Sequence, residues 1–297
     1  MPSFMRQLAL LLALLLVSAP AAADLTLDAA SGWIIDAQVN GVPVRLRVDP
    51  SAPGYIILNP GAVRRIGLRE SMTRAQTFVG PVRLRGSTKA ADVALGGGVS
   101  ERRLLWWDRD VVNGADGIVS MADLPYDAVT LSLAEPRPSE RLLRLPMTFE
   151  RNSGLIHRLS LDGQEIIVTI SLNKPQSMAT AAAGGLIARH HEGTWAGEAR
   201  QQPISFGVER PVRPLALGHP LPLAGLAVRE MLVRTRDNRG NVDLPPEAGA
   251  DPDEVVVTAQ SGRQRSRYIL TLGRDWLSAC SSIIWDNRTR IMTLNCA

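Results

Sequence analysis

One half of an internal repeat begins with Gly41-Val42-Pro43-Val44-Arg45-Leu46-Arg47-Val48-Asp49-Pro50-Ser51-Ala52-Pro53. A second stretch of the same design follows later in the chain, Gly163-Gln164-Glu165-Ile166-Ile167-Val168-Thr169-Ile170-Ser171-Leu172-Asn173-Lys174-Pro175. In both copies a glycine turn leads into an apolar strand, which ends at Asp49 in the first copy and at Ser171 in the second. A repeat of this size predicts two similar lobes, and lobes that face each other bring Asp49 and Ser171 together.

The later parts of the two halves also match each other. In each, an apolar strand leads into a short turn that carries an aspartate, and a second strand follows. The matching segments are 117–125 with Asp123, then 128–131, and 269–277 with Asp275, then 282–285. Because head and tail motifs keep the same order, the sequence predicts an internal duplication with an N-terminal lobe at 24–135, a linker at 136–153 and a C-terminal lobe at 154–297.

The local patterns are mostly those of short strands between Gly, Pro, Asn and Asp turns. The dipeptides Asn40-Gly41 and Asp162-Gly163 favour two-residue hairpin turns, because both residue types tolerate a positive φ. Two helices are predicted, one at 60–66 with Asn59 as its N-cap and one at 179–191. The predicted strands include 32–39, 42–48, 82–84, 92–95 and 103–107, and a surface loop is predicted at 236–264 around an edge strand at 254–259.

The first 23 residues have the pattern of a bacterial secretory signal peptide. Arg6 supplies the positive charge, the apolar run 8–17 follows, and the alanines at 21–23 suit cleavage before Asp24. Later in the chain no apolar run is long enough for a membrane-spanning helix. The sequence therefore predicts a periplasmic or secreted protein without a membrane span in its mature chain.

The two cysteines, Cys280 and Cys296, flank a pattern that reads as a β-hairpin turning near Arg288. They stand symmetrically about that turn, so the hairpin places them opposite each other. In an exported chain such a pair is expected to form a disulfide.

The formal net charge of +4 is small, and the basic residues are scattered among acidic ones. Because no basic run is long enough to follow a phosphate backbone, the sequence argues against nucleic acid as a partner. It predicts neither a metal nor a cofactor. The adjacent histidines at 190 and 191 point in different directions on a helix, which makes them poor ligands of a shared metal.

The two motifs together resemble those of the aspartic peptidases in the wide sense that includes pepsin-like and retroviral-type members. The family's loop Asp-Thr/Ser-Gly-Ala/Ser is similar to Asp49-Pro50-Ser51-Ala52, and its closing motif Leu-Gly-x-Asp-Trp-Leu matches 272–277. The resemblance covers most of 30–135 and 155–295. It implies an all-β fold, a bilobal double barrel with a few short helices and a cleft between the lobes.

The resemblance also implies a chemical test, because the family uses two carboxylates that share one proton. Of the two equivalent positions only Asp49 holds an acid, since its counterpart is Ser171. The hydroxyl position that follows each acid holds Pro50 in one copy and Leu172 in the other. The next position, a glycine in the family, holds Ser51 in one copy and Asn173 in the other; a shift in register would let Ser51 supply a hydroxyl.

Three functions follow as expectations. The first is a catalytically degenerate peptidase-like protein that binds a peptide or protein segment in the cleft, with Pro50, Ser51, Ala52, Ser171, Leu172 and Asn173 around Asp49. The second is an active aspartic endopeptidase in which Asp49 works with a non-standard partner such as Asp123 or Asp275. The third is a structural or assembly protein of the cell envelope, which uses exposed strand edges for its contacts.

Two further features bear on the cleft. Trp106 and Trp107 are neighbours in a predicted strand, so they face opposite sides of the sheet, with one in the core and the other free to line a surface or cleft. Hairpins at 78–90 and 206–218 correspond to the mobile hairpin that covers the cleft in family members. Ser171 has no histidine at a spacing that indicates serine catalysis.

Overall fold

The computed structural model describes residues 24–69, 74–80, 82–235 and 267–297. The predicted signal peptide and the predicted loop at 236–264 with its edge strand lie outside these residues. Strands dominate the described chain, and the prediction of an all-β fold with a few short helices is confirmed.

The first half of the chain contains nine strands in its described residues, the helix α1 (Pro60–Ile66) and a 3-10 helix at Met121–Asp123. The strands are β1 (Leu25–Leu27), β2 (Ile34–Val39), β3 (Val42–Val48), β4 (Ile56–Leu58), β5 (Arg74–Val79), β6 (Val82–Leu95), β7 (Gly98–Trp107), β8 (Gly117–Val119) and β9 (Ala128–Ser132).

Six of these strands close on themselves. Strand β3 pairs antiparallel with β2 and parallel with β8, β8 pairs antiparallel with β4, and β4 pairs parallel with β7. Strand β7 pairs antiparallel with β6, which returns to β2 and closes the barrel. Strand β5 extends the sheet on the other edge of β6.

The second half contains the helix α2 (Ala181–His190) and the remaining strands. They are β10 (Arg141–Pro146), β11 (Thr148–Glu150), β12 (Gly154–Leu161), β13 (Gln164–Ile170), β14 (Met178–Ala179), β15 (Gly193–Trp195), β16 (Arg200–Ser205), β17 (Val208–Leu223), β18 (Leu226–Arg234), β19 (Ile269–Leu272), β20 (Cys280–Asp286) and β21 (Ile291–Cys296).

The pairings of the first half recur here in the same order. Strand β13 pairs antiparallel with β12 and parallel with β19, β19 pairs antiparallel with β14, and β14 pairs parallel with β18. Strand β18 then pairs antiparallel with β17, and β16 pairs with β17 as β5 does with β6. Each helix follows the equivalent short strand, α1 after β4 and α2 after β14.

A third sheet combines strands from both halves. Its order is β1-β9-β20-β21-β10, so strands from the beginning, the middle and the end of the chain lie side by side. The predicted linker at 136–153 contributes to this sheet, because β10 pairs with β21 along its whole length. Pro146 is accommodated at the end of β10 because this strand lies at the edge of the sheet.

The two predicted hairpin turns have the expected backbone. Asn40 and Gly41 have φ values of 49° and 77°, and Asp162 and Gly163 have values of 52° and 72°. These values fit a two-residue turn with both central residues in the left-handed region. Each turn sets the register of its hairpin, so that the strand leading to Asp49 or Ser171 alternates correctly between core and surface.

Some predicted elements differ in extent. The short strands predicted at 82–84 and 92–95 belong to one long strand, β6, which continues through the polar residues between them because residues 82–87 pair with β5 and residues 86–95 pair with β7. Asn59 occupies the N-cap position of α1, but its side chain makes no capping bond. It instead donates to the carbonyl oxygens of Val112 and Ala115 and accepts from the Val111 amide, and so fixes the loop before β8.

Neither α1 nor α2, the two α-helices of the described residues, has the length and apolar character needed to cross a membrane. Helix α2 is buried over most of its length, because Val, Leu and Ala side chains of the second half surround it. Its N-cap is Thr180, whose hydroxyl accepts a bond from the Ala183 amide.

Candidate functional site

The two equivalent loops of the repeat have the same backbone. The Asp49 amide donates to the Val119 carbonyl at 3.1 Å, and the Ser171 amide donates to the equivalent Leu272 carbonyl at 2.9 Å. Each loop then closes a tight turn, with the Ala52 amide donating to the Asp49 carbonyl and the Lys174 amide to the Ser171 carbonyl. The strands β3 and β13 thus deliver Asp49 and Ser171 to the same point.

Asp49 and Ser171 meet where the two halves of the chain face each other. The Asp49 side chain has no exposed surface, and four donors reach its carboxylate. The Ser51 amide and hydroxyl donate to Oδ1 at 2.8 and 2.5 Å, while the Ser171 hydroxyl and the Asn173 amide donate to Oδ2 at 3.2 and 3.1 Å. Among the described residues, no carboxylate is a partner of Asp49.

Burial and hydrogen bonding act on this acid in opposite directions. Desolvation raises the pKa of Asp49 above its usual range, and the bonds from Ser51, Asn173 and Ser171 counteract that rise in part. The Ser51 hydroxyl lies in the same loop as Asp49, so the bonds that cross between the halves come from Ser171 and Asn173. Of the residues that the structure describes, a single buried carboxylate, and not a pair of acids, lies at this junction.

Two basic residues that the sequence did not single out stand beside Asp49. Arg47, two residues earlier on β3, donates to the Asn173 side-chain oxygen at 3.1 Å. Lys174 donates to the carbonyl oxygens of Pro203 and Ile204 on β16. Burial lowers the pKa of both side chains, and the charge of Asp49 opposes the decrease. Of the two residues, only Lys174 is unusual in the sequence, because it is one of just two lysines in this arginine-rich chain.

A cleft of about 1270 Å³ opens above this junction. Both halves line it, with Arg47, Ser51 and Tyr55 on one side and Ser171 and Lys174 on the other. Its size is that of a site for a sizeable ligand. The floor of the cleft presents hydroxyl, amide and cationic groups.

Apolar side chains from both halves form part of the walls of the cleft. Ile57, Ile118 and Trp107 come from the first half, and Met178 and Leu232 come from the second. These side chains belong to one hydrophobic cluster that includes residues of both halves. Trp106 instead packs in the main core, which confirms that the two adjacent tryptophans face opposite sides of the sheet.

Two hairpins border the cleft, and each of the predicted segments 78–90 and 206–218 contains the turn of one of them, but the hairpins begin earlier in the chain, with β5 and β16. The β5–β6 hairpin contributes Gln76 and Thr77, and the β16–β17 hairpin contributes Gln202 and Phe206. The ring of Phe206 packs edge-on against Trp107 of the opposite half, with centroids 5.7 Å apart. Contact between the halves therefore extends from the floor of the cleft to its rim.

The hairpin tips also approach each other. At Gly80, the tip of the β5–β6 hairpin, a Cβ atom would lie 2.5 Å from Nε of Arg210 on β17. A side chain at this position would displace the Arg210 guanidinium, and the φ of 59° at Gly80 also favours glycine. At the hairpin tips the backbone of the first half thus lies against a side chain of the second.

The other residues of the two loops are structural. The Pro50 carbonyl accepts a bond from the Leu155 amide, Ala52 is buried in the cluster under the cleft, and Leu172 is buried in the main core. Ser51, Ser171 and Asn173 line the cleft itself. The polar positions of the loops consequently face the cleft while the apolar positions anchor them.

The two aspartates proposed as alternative partners of Asp49 are occupied elsewhere. Asp123 pairs with Arg102 at 2.9 Å. Asp275 accepts bonds from the Ser177 amide and hydroxyl and from the Trp276 amide, and so fixes the start of β14 against the closing motif. Neither aspartate is hydrogen-bonded to Asp49.

The remaining predicted features lie away from the cleft. Cys280 and Cys296 form a disulfide across the β20–β21 hairpin, as predicted. His190 lies 3.5 Å from Asp162, whereas His191 contacts the carbonyl of His219. The two histidines therefore have separate partners.

The chain matches no protein-family model, and the search of curated proteins finds no relative of it.

Proposed function

We propose that this chain is an exported protein with the bilobal fold of the aspartic peptidases, that it lacks their two-acid chemistry, and that it binds an extended peptide or protein segment in the cleft. The observation that carries the proposal is the environment of Asp49. Its carboxylate is fully buried, its hydrogen-bonding capacity is taken up by Ser51, Ser171 and Asn173, and the equivalent position of the other half is a serine.

Peptide hydrolysis by this family needs a base that reaches a bound water and an acid that protonates the substrate. Asp49 has no exposed surface, and the Ser171 hydroxyl does not ionise at neutral pH. The pair therefore cannot share a proton as two acids do. What remains is a hydrogen-bonded junction that holds the two loops together beneath the cleft.

The recurrence of the strand pairings supports the bilobal part of the proposal. In both halves, successive strand pairings alternate between antiparallel and parallel, beginning and ending with an antiparallel pair. The loops of Asp49 and Ser171 follow the equivalent strands, β3 and β13. The disulfide supports export, because disulfides persist in oxidising compartments.

The edges of the cleft support a ligand in extended conformation. Within the described residues, β5 pairs only with β6, so the edge of β5 that lies away from β6 is left for another strand. Residues of β5, among them Gln76 and Thr77, line the cleft. A peptide that pairs with such an edge gains backbone hydrogen bonds, and its alternate side chains reach the apolar walls.

One experiment tests the absence of peptidase chemistry. The protein is incubated with an unfolded protein substrate from about pH 3 to about pH 8, the range over which carboxylates and histidines titrate, and new amino termini are counted. We expect no hydrolysis above the blank. Hydrolysis that is lost in Asp49→Asn but kept in Asp36→Asn, a change of an exposed aspartate on β2, would refute the proposal.

A second experiment tests binding in the cleft. Peptides selected from a displayed random library on the wild-type protein are measured against Thr77→Trp, which places a bulky ring in the cleft, and Phe78→Trp, which changes the next residue on the outer face of β5. We expect Thr77→Trp to weaken binding about tenfold or more and Phe78→Trp to leave it unchanged. Equal binding by both variants would show that the peptides bind elsewhere.

A further inference from the structure

The charged side chains around the cleft are mostly cationic. Among the described residues that line it, four carry positive charge and one carries negative charge: Arg47, Arg103, Lys174 and Arg267 against Asp110. This excess is local, because the whole chain has a net charge of only +4 among 62 ionisable acids and bases of the Asp, Glu, Lys and Arg types. The cleft is therefore more positive than the surface around it.

The excess continues below the floor. The charge of Asp49, the only acid at the junction among the described residues, raises the pKa of both Arg47 and Lys174. Arg274 acts on Arg47 and Arg234 acts on Lys174, and each lowers the pKa of the cation that it acts on. Positive charges therefore outnumber the single carboxylate near the floor, where partial burial makes charges interact more strongly than in water.

The hydrogen bonds that Arg47 and Lys174 make within the protein leave each of them able to donate to a ligand. Lys174 uses the Pro203 and Ile204 carbonyls, and an ammonium group has a third proton to donate. Arg47 uses one of its terminal nitrogens on Asn173. Both residues line the cleft, so an acceptor group that reaches its floor can contact them.

We infer that the cleft selects segments in which an acidic side chain stands between apolar residues, with the acid at Arg47 and Lys174 and the apolar side chains on the walls. This rests on the proposed function, which it makes more specific. The walls formed by Ile57, Met178 and Leu232 match the apolar part, and the floor matches the carboxylate. A nucleic acid fits less well, because its phosphates follow one another without apolar groups between them.

The test uses three pools of short peptides capped at both ends, which removes the terminal charges. The pools have the same mixture of Ala, Val, Leu and Ser at the outer positions and differ only in the central residue, which is Glu, Gln or Lys. Affinity for the full mature chain is measured by fluorescence of a dye on the peptide. We expect the Glu pool to bind about tenfold more tightly than the Gln pool, and the Lys pool most weakly.

The chain offers a matched control for the residue that carries the preference. Lys174→Met removes the floor ammonium, whereas Lys89→Met removes the only other lysine, which is exposed on β6. We expect the Glu-to-Gln preference to disappear in the first variant and to persist in the second. If Lys174→Met does not fold, raising sodium chloride from about 0.05 M to about 0.5 M on the wild type must reduce the same preference, since salt screens charges.

The outcomes separate this inference from the proposed function. Glu and Gln pools that bind equally well, both blocked by Thr77→Trp, would overturn the charge preference and leave peptide binding intact. Absence of binding by every pool would overturn both. Tighter binding of a single-stranded oligonucleotide than of the Glu pool would also overturn the inference, because phosphate would then be the preferred anion.

Discussion

The Asp49 carboxylate is surrounded by hydrogen-bond donors. Four groups donate to its two oxygens, and no solvent reaches it. An amide in its place has one oxygen to accept bonds and an NH₂ group that faces the remaining donors. Asparagine therefore changes the hydrogen-bond pattern of the site even though it keeps the shape of the side chain.

We expect Asp49→Asn to lower the free energy of unfolding by about 1–3 kcal/mol, because the Asn173 amide or the Ser51 hydroxyl loses its acceptor. The measurement is urea unfolding near neutral pH. Asp36→Asn, on the surface of β2, serves as the control and should change the free energy by less than about 0.5 kcal/mol. A cost no greater than that of the control would mean that Asp49 does not hold the loops together.

The difference in unfolding free energy between wild type and Asp49→Asn should depend on pH in a defined direction. Burial raises the pKa of Asp49 in the folded state. The stability that protonated Asp49 contributes is therefore fully present below the ordinary aspartate pKa, and it is lost as pH rises through the raised pKa of the folded state. The advantage of wild type over Asp49→Asn should consequently be larger at about pH 3.5 than at about pH 7. An advantage that grows with pH would contradict the direction of the shift.

Ser171→Asp tests the proton chemistry directly. Its carboxylate would stand within hydrogen-bond distance of Asp49, where two negative charges cannot both persist, so the pKa of one of the two acids rises strongly. Each unit of that rise costs about 1.4 kcal/mol of stability once pH exceeds it. We expect Ser171→Asp to be markedly less stable at neutral pH than in acid, and urea unfolding should show a smaller loss with pH in Ser171→Asn, which has the shape of the aspartate without its charge.

At the scale of elements, the two helices of the repeat pack differently. In α2, a Cβ atom on Gly184 would lie 2.3 Å from Val233 of β18, whereas in α1 a Cβ on Gly61 would meet no atom within 4 Å. Alanine is a better helix former than glycine. The same substitution therefore has opposite effects in equivalent helices.

We expect Gly184→Ala to destabilise the protein by about 1–3 kcal/mol through overpacking, and Gly61→Ala to stabilise it by up to about 1 kcal/mol. Thermal unfolding of the two variants under one set of conditions measures both. If Gly184→Ala were as stable as Gly61→Ala, helix α2 would be less tightly packed on β18 than its distances indicate.

An aromatic contact joins the two halves at the rim of the cleft. Phe206→Ala removes the ring that packs on Trp107, and an aromatic pair of this kind contributes about 0.5–1.5 kcal/mol. We expect faster amide hydrogen exchange in β16 and the start of β17, measured by mass spectrometry. Phe78→Ala, which removes an exposed phenylalanine from the other hairpin, should leave exchange in β16 unchanged.

Some elements of the fold could be predicted from the sequence and others could not. The strand β3, helix α1 and the two hairpin turns follow from local patterns, because glycine, asparagine and proline restrict the backbone regardless of distant contacts. The length of β6 does not, since its polar middle becomes a strand only through pairing with β5 and β7. The meeting of Asp49 and Ser171 followed from the repeat, whereas the position of Arg47 depends on packing between the halves.

At the scale of the whole molecule, the third sheet ties the chain together. It places β1 and β9 of the first half beside β20, β21 and β10 of the second, so neither half is complete without the other. Trp285 and Leu131, both fully buried, pack in the core on adjacent strands of this sheet. Unfolding of this sheet is thus expected to separate the halves and to open the cleft.

The disulfide between Cys280 and Cys296 closes the hairpin at the centre of that sheet. A covalent loop of this size restricts the unfolded chain by about 3 kcal/mol, so we expect Cys280→Ser with Cys296→Ser to lose about 2–4 kcal/mol of unfolding free energy. Because both halves share the sheet, the urea midpoints measured by Trp fluorescence and by circular dichroism should shift together to lower urea concentrations in this double variant. Reductant should produce the same shift in wild type and none in the double variant; a shift confined to one spectroscopic signal would mean that the sheet does not couple the halves.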